Sequence, residues 1–519
     1  MGRGGLDRFW GGAGCGGGIG GGKWGGFGRG PCQTALGAVQ RSRLRALSRP
    51  VLNSPHVAEF EATTEEEDLM LRKTTQFFVR YMERFVPDPY IYAVVLTFIT
   101  VAAARIWTPS NTATILTSWY NGLWEILAFA LEMALILVTG VALADAPLVK
   151  KLLQKLAGVP QNQAWAAITI FLVAAVGSWL NWGFGLVIGA LLAREIAKRL
   201  PDVDFGFLVA AAYMGFMVWA SGLSSSIALA TATHGSALNI VEKVTGSVAG
   251  FNLTIFTLYN LVPVMLLVLL IPVALYFMAP EEKDRRKVDP AVLIKQDEMQ
   301  QEEMLGDATG HRTFASVLDN SWVITLLLVA MGAAYEWHTI RTKGFSLDIN
   351  GFIFFALMLG LIFHWRPIRY VRSFNRGART VGPLLLQFPL YGGIMGIMIH
   401  TGLAGVIAQS FATFSTHRTL PFWCFISSNI ISLFVPSGGG HWAVQGPFMV
   451  PAAVKLHVSP AMTAMGTAMG EQTANMIQPF WALPILALAR LGIKDIMGYC
   501  VIALVIGLVL YGGAMLIFA

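Results

Sequence analysis

The chain has 519 residues, of which 55% are hydrophobic and 13% charged, with a mean hydropathy of +0.59. Soluble domains average about 25% charged residues, so this chain lacks the charge to clothe a water-exposed surface, and a lipid-embedded one remains. The net charge of +7 lies in short connections between apolar runs (Lys150, Lys151 and Lys155, Arg194 to Arg199, Arg366 to Arg379), where the positive-inside rule places bases, and this distribution excludes a nucleic-acid partner.

Residues 1–69 stand apart. The first thirty are about half glycine and cannot bury a core, which predicts disorder. Arg41, Arg43, Arg45 and Arg49 follow in an acid-free stretch with the composition of a transit peptide; a variable extension with no address fits equally. A basic amphipathic stretch from Met70 through Arg72, Lys73, Arg80 and Arg84 suits the membrane surface. Cys15, Cys32, Cys424 and Cys500 form no close pair, so neither a zinc cluster nor a disulfide framework is expected. No cofactor motif is present.

Apolar runs of about 20 residues, the length that crosses a hydrocarbon core, recur through the rest. Spans are predicted at roughly 89–107, 122–144, 164–199 (too long for one crossing, and interrupted), 205–220 and 254–278. A polar connector of both charge signs occupies 280–318. Further spans follow near 320–338, 349–365, 381–400, 402–415, 420–436, 441–454, 460–488 and 495–518. The predicted fold is therefore an all-α polytopic membrane protein with a first half, 70–279, and a second, 319–519.

Each half contains two polar, glycine-bearing breaks inside apolar runs. The first has Ser178-Trp179-Leu180-Asn181-Trp182-Gly183-Phe184-Gly185 and then Ser221-Gly222-Leu223-Ser224-Ser225-Ser226; the second has Pro436-Ser437-Gly438-Gly439-Gly440-His441 and then Gly470-Glu471-Gln472-Thr473-Ala474-Asn475. Matched interruptions in two halves point to discontinuous helices meeting at a transport site, because irregular backbone survives in a bilayer only where protein encloses it. Three glycines after Pro436 are expected to stop the helix. A restarting half-helix then offers N-terminal amides, carrying about half a positive charge, to an anion.

No lysine or arginine lies within the breaks. A carboxylate would be held by peptide amides, by Ser221, Ser224, Ser225 and Ser437, and by Asn181, Gln445, Gln472, Asn475 and Gln478, with Gly183, Gly185, Gly438, Gly439 and Gly440 shaping the backbone. Carbonyls released at the breaks would suit Na⁺. The competing reading has the glycines permitting close helix packing and the serines bonding to the preceding turn. Glu471 is the expected proton or cation partner, since acids within spans are functional candidates, and His441 would suit a proton relay. Structural roles are expected for Glu132, His234 and His400.

These breaks carry a resemblance. Val435-Pro436-Ser437-Gly438-Gly439-Gly440-His441-Trp442-Ala443-Val444-Gln445-Gly446-Pro447 resembles the signature of the short-chain fatty acid transporter family, the type linked with acetoacetate and butyrate uptake. Asn181 to Gly185, Gly470-Glu471-Gln472, Asn475 to Pro484 and Asp495-Ile496-Met497-Gly498-Tyr499 are similar to that family too. The resemblance runs from about Met70 to the C-terminus. It implies ion-coupled uptake of small monocarboxylates by a carrier with inverted repeats and re-entrant hairpins, and leaves H⁺ and Na⁺ open. The sequence departs from the family where Ser224, Ser225, Ser226 and His234 replace a segment richer in glycine and proline, and where Thr473 stands for an aromatic.

The resemblance leaves two alternatives: a carrier of dicarboxylates or other small anions, and an intramembrane hydrolase using Ser437 and His441. No phosphate-binding Gly-x-x-x-x-Gly-Lys-[Ser/Thr] loop supports ATP-driven transport. A bacterial inner (plasma) membrane is the default location, a mitochondrial inner membrane stays open, and a homo-oligomer is compatible with everything above.

Overall fold

A computed structural model describes residues 89–295, 298, 313–343, 348–478, 481–489 and 491–519. The glycine-rich extension 1–69, the amphipathic stretch 70–88 and the centre of the polar connector lie outside the described residues. Every regular element among them is a helix, and eight segments are long and apolar enough to cross a membrane.

After α1 (Pro89–Trp107), a single predicted span resolves into two helices, α2 (Thr112–Glu125) and α3 (Leu127–Ala144). The span starts ten residues before the predicted 122 because Asn111, a polar residue able to end a helix, caps α2 by accepting a 2.8 Å bond from the Thr114 N–H. An amphipathic surface helix, α4 (Pro147–Leu156), follows with its proline in the first turn, where the missing N–H costs nothing. The overlong run at 164–199 divides into α5 (Gln163–Leu180) and α6 (Trp182–Arg199) at Asn181 alone. Next come α7 (Phe205–Met214), a 3₁₀ segment Gly215–Ser221, α8 (Ser226–Ala232), the short α9 (Ile240–Thr245) and α10 (Leu258–Met278).

The second half opens with α11 (Phe314–Asp319), α12 (Trp322–Lys343), α13 (Ile349–His364), the basic surface helix α14 (Pro367–Ala378), α15 (Gly382–His400) and α16 (Leu403–Phe414). Then α17 (Leu420–Ser432) and α18 (Gly438–Lys455) flank a break, and α19 (Pro460–Ala474) passes through 3₁₀ turn Asn475–Ile477 to α20 (Ala482–Ala489) and α21 (Met497–Ile517). The same order recurs in both halves: helix, break, helix, then a helix ending in a 3₁₀ turn, a break and a short helix. The triplet Gly438 to Gly440, expected to be non-helical, instead forms the first turn of α18, and the irregular chain is Leu433–Ser437. First-turn N–H groups have no intrahelical partner in any helix, so glycine loses little there.

Burial separates core from edge. Of the 18-residue apolar window in Phe205–Ala232, 94% is buried, against 11% of that in Trp322–Thr342, so the first-half broken helix lies in the interior and α12 at the exposed periphery. Two polar ties hold the periphery. Buried Asp145 at the end of α3 takes Arg376 at 3.0 Å, Lys150 at 3.1 Å and a 3.1 Å bond from the Ser373 hydroxyl, which pins α14 to α3. The chain after α10 is strapped to the loop before α7: the Arg286 N–H donates to Asp204 at 2.8 Å and Lys287 pairs with Asp202 at 2.6 Å. Lys287 holds the Asp202 carboxyl below its usual range.

Helices α2 and α15 touch backbone to backbone through Gly122, Gly392 and Gly396. A side chain on Gly392 would run into the Gly122 carbonyl and approach Ile126 Cγ1 to 2.9 Å. Gly392→Val should cost about 3 kcal/mol by overpacking, read as a lower melting temperature in detergent. Gly382→Ala, in the same helix with nothing within 4 Å, should leave that temperature unchanged or raise it.

Candidate functional site

The four breaks converge. Gln472, fully buried on α19, accepts N–H bonds from Ala220 (2.9 Å) and Ser221 (3.1 Å) and donates to the Ser221 hydroxyl at 2.7 Å. One side-chain amide of the second half thus satisfies the end of the first-half 3₁₀ segment. Asn475 accepts from the Trp219 indole N–H at 2.9 Å and donates to Gln478 at 3.1 Å. Tyr213 donates to the Asn475 and Gln478 carbonyls at 2.8 and 3.0 Å, and Gln478 donates to the Ser432 carbonyl. Asn260 on α10 supports the same place by donating to the Ser221 carbonyl at 3.0 Å.

Within the first half, Asn181 caps α6 by accepting from the Phe184 N–H at 2.9 Å, and donates to the Ile136 carbonyl. Ser224 accepts from the Trp182 N–H at 2.8 Å, and Ser225 caps α8 through the Ala228 N–H. Gly183 lies against Leu137 of α3 and Gly185 against Ser178 of α5. These residues build the breaks, and the side chains of Asn181, Ser224 and Ser225 are engaged there.

The start of α18 is different. Ser437 occupies its N-cap position with extended backbone and makes no side-chain cap bond. Gly439 packs on the Phe129 ring and Gly440 on the Tyr391 ring, positions that any side chain would invade. A methyl on Gly438 would overlap the Ser226 hydroxyl, lie 2.5 Å from Trp219 Cη2 and lie 3.0 Å from Glu471 Oε2. The carboxyl of Glu471 therefore faces the first turn of α18. Glu471 is 0% exposed and neither oxygen has a hydrogen-bond partner, an arrangement costly enough in a core to need a reason.

A cavity of about 20 Å³ opens at this point, room for about one water. Ser226, Ser437, Gly438 and Gly439 give it a polar end. Trp182, Phe216, Trp219 and Trp481 form aromatic walls, with Trp182 and Trp481 packed edge to face at 5.1 Å between centroids. Met133 of α3 with Leu384 and Phe388 of α15 complete it. Sequence reasoning named the polar end and missed Ser226 and the aromatic walls. The signal was present, since Trp182 and Trp481 sit inside the motifs of the breaks, but an aromatic in an apolar run reads first as packing.

His441 and Gln445 form a separate buried cluster. His441 Nε2 lies 2.5 Å from Gln445 Oε1 and 3.2 Å from the Ser428 hydroxyl, and Gln445 donates to the Cys424 carbonyl and Ser427 hydroxyl at 3.0 Å each. Ser437 meets His441 only through backbone, its carbonyl accepting the His441 N–H at 2.6 Å. No nucleophile–base contact exists between them. Among the described residues, no group of three or more His, Cys, Asp or Glu is placed to hold a metal ion. Outside the site, His234 pairs with Glu242, and His400 lies 3.7 Å from Glu125.

Residues 70–518 match the family described as short chain fatty acid transporter. The chain belongs to that family. A relative from Escherichia coli (strain K12), named for short-chain fatty acid transport, is 38% identical over 449 residues, 85% of this chain and 100% of its own length. Another so named, from Haemophilus influenzae, is 36% identical over 439 residues, covering 84% of this chain and 97% of its own. Two solved structures share the fold: the Alcanivorax borkumensis YdaH transporter (TM-score 0.56, 13% identity, 83% of this chain and 98% of that one) and Neisseria gonorrhoeae MtrF, described as illuminating a class of antimetabolite efflux pumps (TM-score 0.56, 15% identity, 86% and 97%). This short-chain fatty acid transporter family member is thus an integral, multi-pass membrane transporter and not an enzyme, which removes the hydrolase alternative.

The Gln472 clamp is open to direct test in this transporter. Gln472→Leu removes the three bonds that join the second half to the end of the 3₁₀ segment, at a cost of about 3 kcal/mol. The expected result is a marked drop in thermal stability, whereas Asn429→Leu, at a partly buried position outside the clamp, should lower it far less.

Proposed function

We propose that this protein is a secondary active carrier of short-chain monocarboxylates, such as butyrate or acetoacetate, and that the first turn of α18 holds the substrate carboxylate. The observation that carries this reading is the contrast among restarting helices. Asn181 caps α6 and Ser225 caps α8 with their own side chains, while α18 has no side-chain cap and opens on three glycines beside a cavity. Its N–H groups and helix dipole suit an anion, and Ser226 and Ser437 lie alongside to donate. The apolar walls accommodate a short alkyl chain. No lysine or arginine lines the cavity, so a second carboxylate would be buried without a partner, which argues against dicarboxylates.

Glu471 is proposed as the coupling group. It faces the same glycines, so a bound carboxylate would be its immediate neighbour. Two carboxyl groups that close do not readily both ionise; one shared proton relieves the conflict and travels with the substrate. His441, whose imidazole is held by Gln445 and Ser428, is assigned to supporting α18 rather than to substrate contact. Asn181, Gly183, Gly185, Ser221, Ser224, Ser225, Gln472, Asn475 and Gln478 are proposed to shape the breaks, with Ser437, Gly438, Gly439 and Gly440 contacting substrate. Since the cavity is about 20 Å³, admission of a four-carbon acid requires Met133, Leu384 or Phe388 to withdraw.

Purified protein in liposomes should accumulate labelled butyrate under an inward proton gradient, with acids of two to six carbons competing. Accumulation driven only by Na⁺ would reassign the coupling ion to carbonyls at the breaks, and no accumulation under either gradient would refute the carrier reading. Glu471→Gln should abolish proton-driven accumulation while retaining exchange of labelled for unlabelled butyrate; accumulation with unaltered pH dependence would exclude Glu471. Gly438→Ala should reduce affinity at least tenfold, because its methyl enters the space beside Glu471 and Trp219.

A further inference from the structure

Three indoles wall the cavity, and two have their N–H satisfied: Trp219 donates to Asn475 Oδ1 at 2.9 Å and Trp481 to the Pro436 carbonyl at 2.6 Å. Trp182 is different. It is 4% exposed and its Nε1 is buried without a partner among the described residues. Its position is not loose: its backbone N–H is held by Ser224 at 2.8 Å, and its ring packs on Trp481 at 5.1 Å and Trp219 at 6.4 Å between centroids. A donor fixed on two sides and left unpaired is a standing cost, and any ligand oxygen that reaches it removes that cost.

From this we infer that Trp182 is a specificity-determining residue, its indole N–H donating to a second oxygen on the substrate chain, so that the site selects short acids bearing a hydroxyl or keto group over the plain alkyl acid of equal length. This rests on the carboxylate site at α18 proposed above. The cavity already has one polar end, at Ser226, Ser437 and Gly438, and Trp182, whose Nε1 has no partner among the described residues, is one of the residues that line it. Trp182 is neutral and donates without accepting, so it matches a hydroxyl or carbonyl oxygen without supplying the charge that a second carboxylate would need. A site built to bond a substrate oxygen rejects the analogue that lacks it far more sharply than an apolar pocket rejects a small change of shape.

The test measures competition against labelled butyrate uptake in liposomes by unlabelled butyrate, 3-hydroxybutyrate and 3-oxobutyrate. The wild type should be inhibited about tenfold more strongly by the oxygenated acids than by butyrate. Trp182→Phe, which keeps an aromatic ring at this position and removes the indole donor, should bring the three acids to equal potency, read as the ratio of their inhibition to that by butyrate and so independent of any change in the overall rate of uptake. Trp182→His, which restores a ring N–H, should recover part of the preference. A wild type that does not favour the oxygenated acids overturns the inference without any variant, as does an unchanged preference in Trp182→Phe, the result expected if a resident water satisfies the indole. Butyrate uptake with either result leaves the carrier reading standing, whereas no uptake of any acid defeats both.

Discussion

Breaking a helix inside an apolar region leaves peptide N–H and C=O groups that lipid cannot satisfy, and this structure is organised around meeting that demand. The Gln472 amide is the central answer. It closes on Ala220 and Ser221 with three bonds, so the broken helix of one half ends on a side chain of the other. Asn475 and Gln478 repeat the device on Trp219, Tyr213 and the Ser432 carbonyl. Because each half completes the other's hydrogen bonding, the breaks are held together rather than merely adjacent. The side-chain amides of Gln472, Asn475 and Gln478 are therefore engaged in holding the breaks together.

Against these paired amides, the unsatisfied groups nearby are informative. The start of α18 has no side-chain cap, Glu471 has no partner on either oxygen, and Trp182 has no acceptor among the described residues. All three border or face one small cavity with aromatic walls. Leaving such groups unpaired in a core costs free energy that the fold must recover elsewhere. Other buried atoms of the described residues, among them Ser178 Oγ, Asn260 Oδ1 and His441 Nδ1, also lack partners; what sets these three groups apart is that they border or face the cavity, and on that ground they are proposed as contact residues.

The glycines divide along the same line. Gly122, Gly392 and Gly396 let two helices touch, and Gly183 and Gly185 seat α6 against its neighbours. Gly439 and Gly440 do likewise beneath Phe129 and Tyr391. Gly438 alone among the triplet would send a side chain toward Glu471 and Ser226. Packing, one of the two roles posed from the sequence, is thus visible at Gly439 and Gly440, while Gly438 is the position whose side chain would enter the space beside Glu471.

Composition and apolar run length were enough to establish a polytopic helical membrane protein, because hydrocarbon thickness dictates span length directly. The placement of four polar breaks in two halves was equally legible, since serine, asparagine, proline and glycine interrupt an apolar run conspicuously and are costly there unless protein encloses them. The individual roles were not. Whether Asn181 caps a helix or faces a ligand, whether His441 meets Ser437 or Gln445, and which helix start stays open depend on distances between residues tens to hundreds of positions apart. Local sequence could not supply Ser226 beside Gly438, or Gln472 on Ser221, because those contacts exist only after both halves have packed. The kinds of group at the site came from the sequence; tertiary structure alone decided which of them were already spent on holding the chain together.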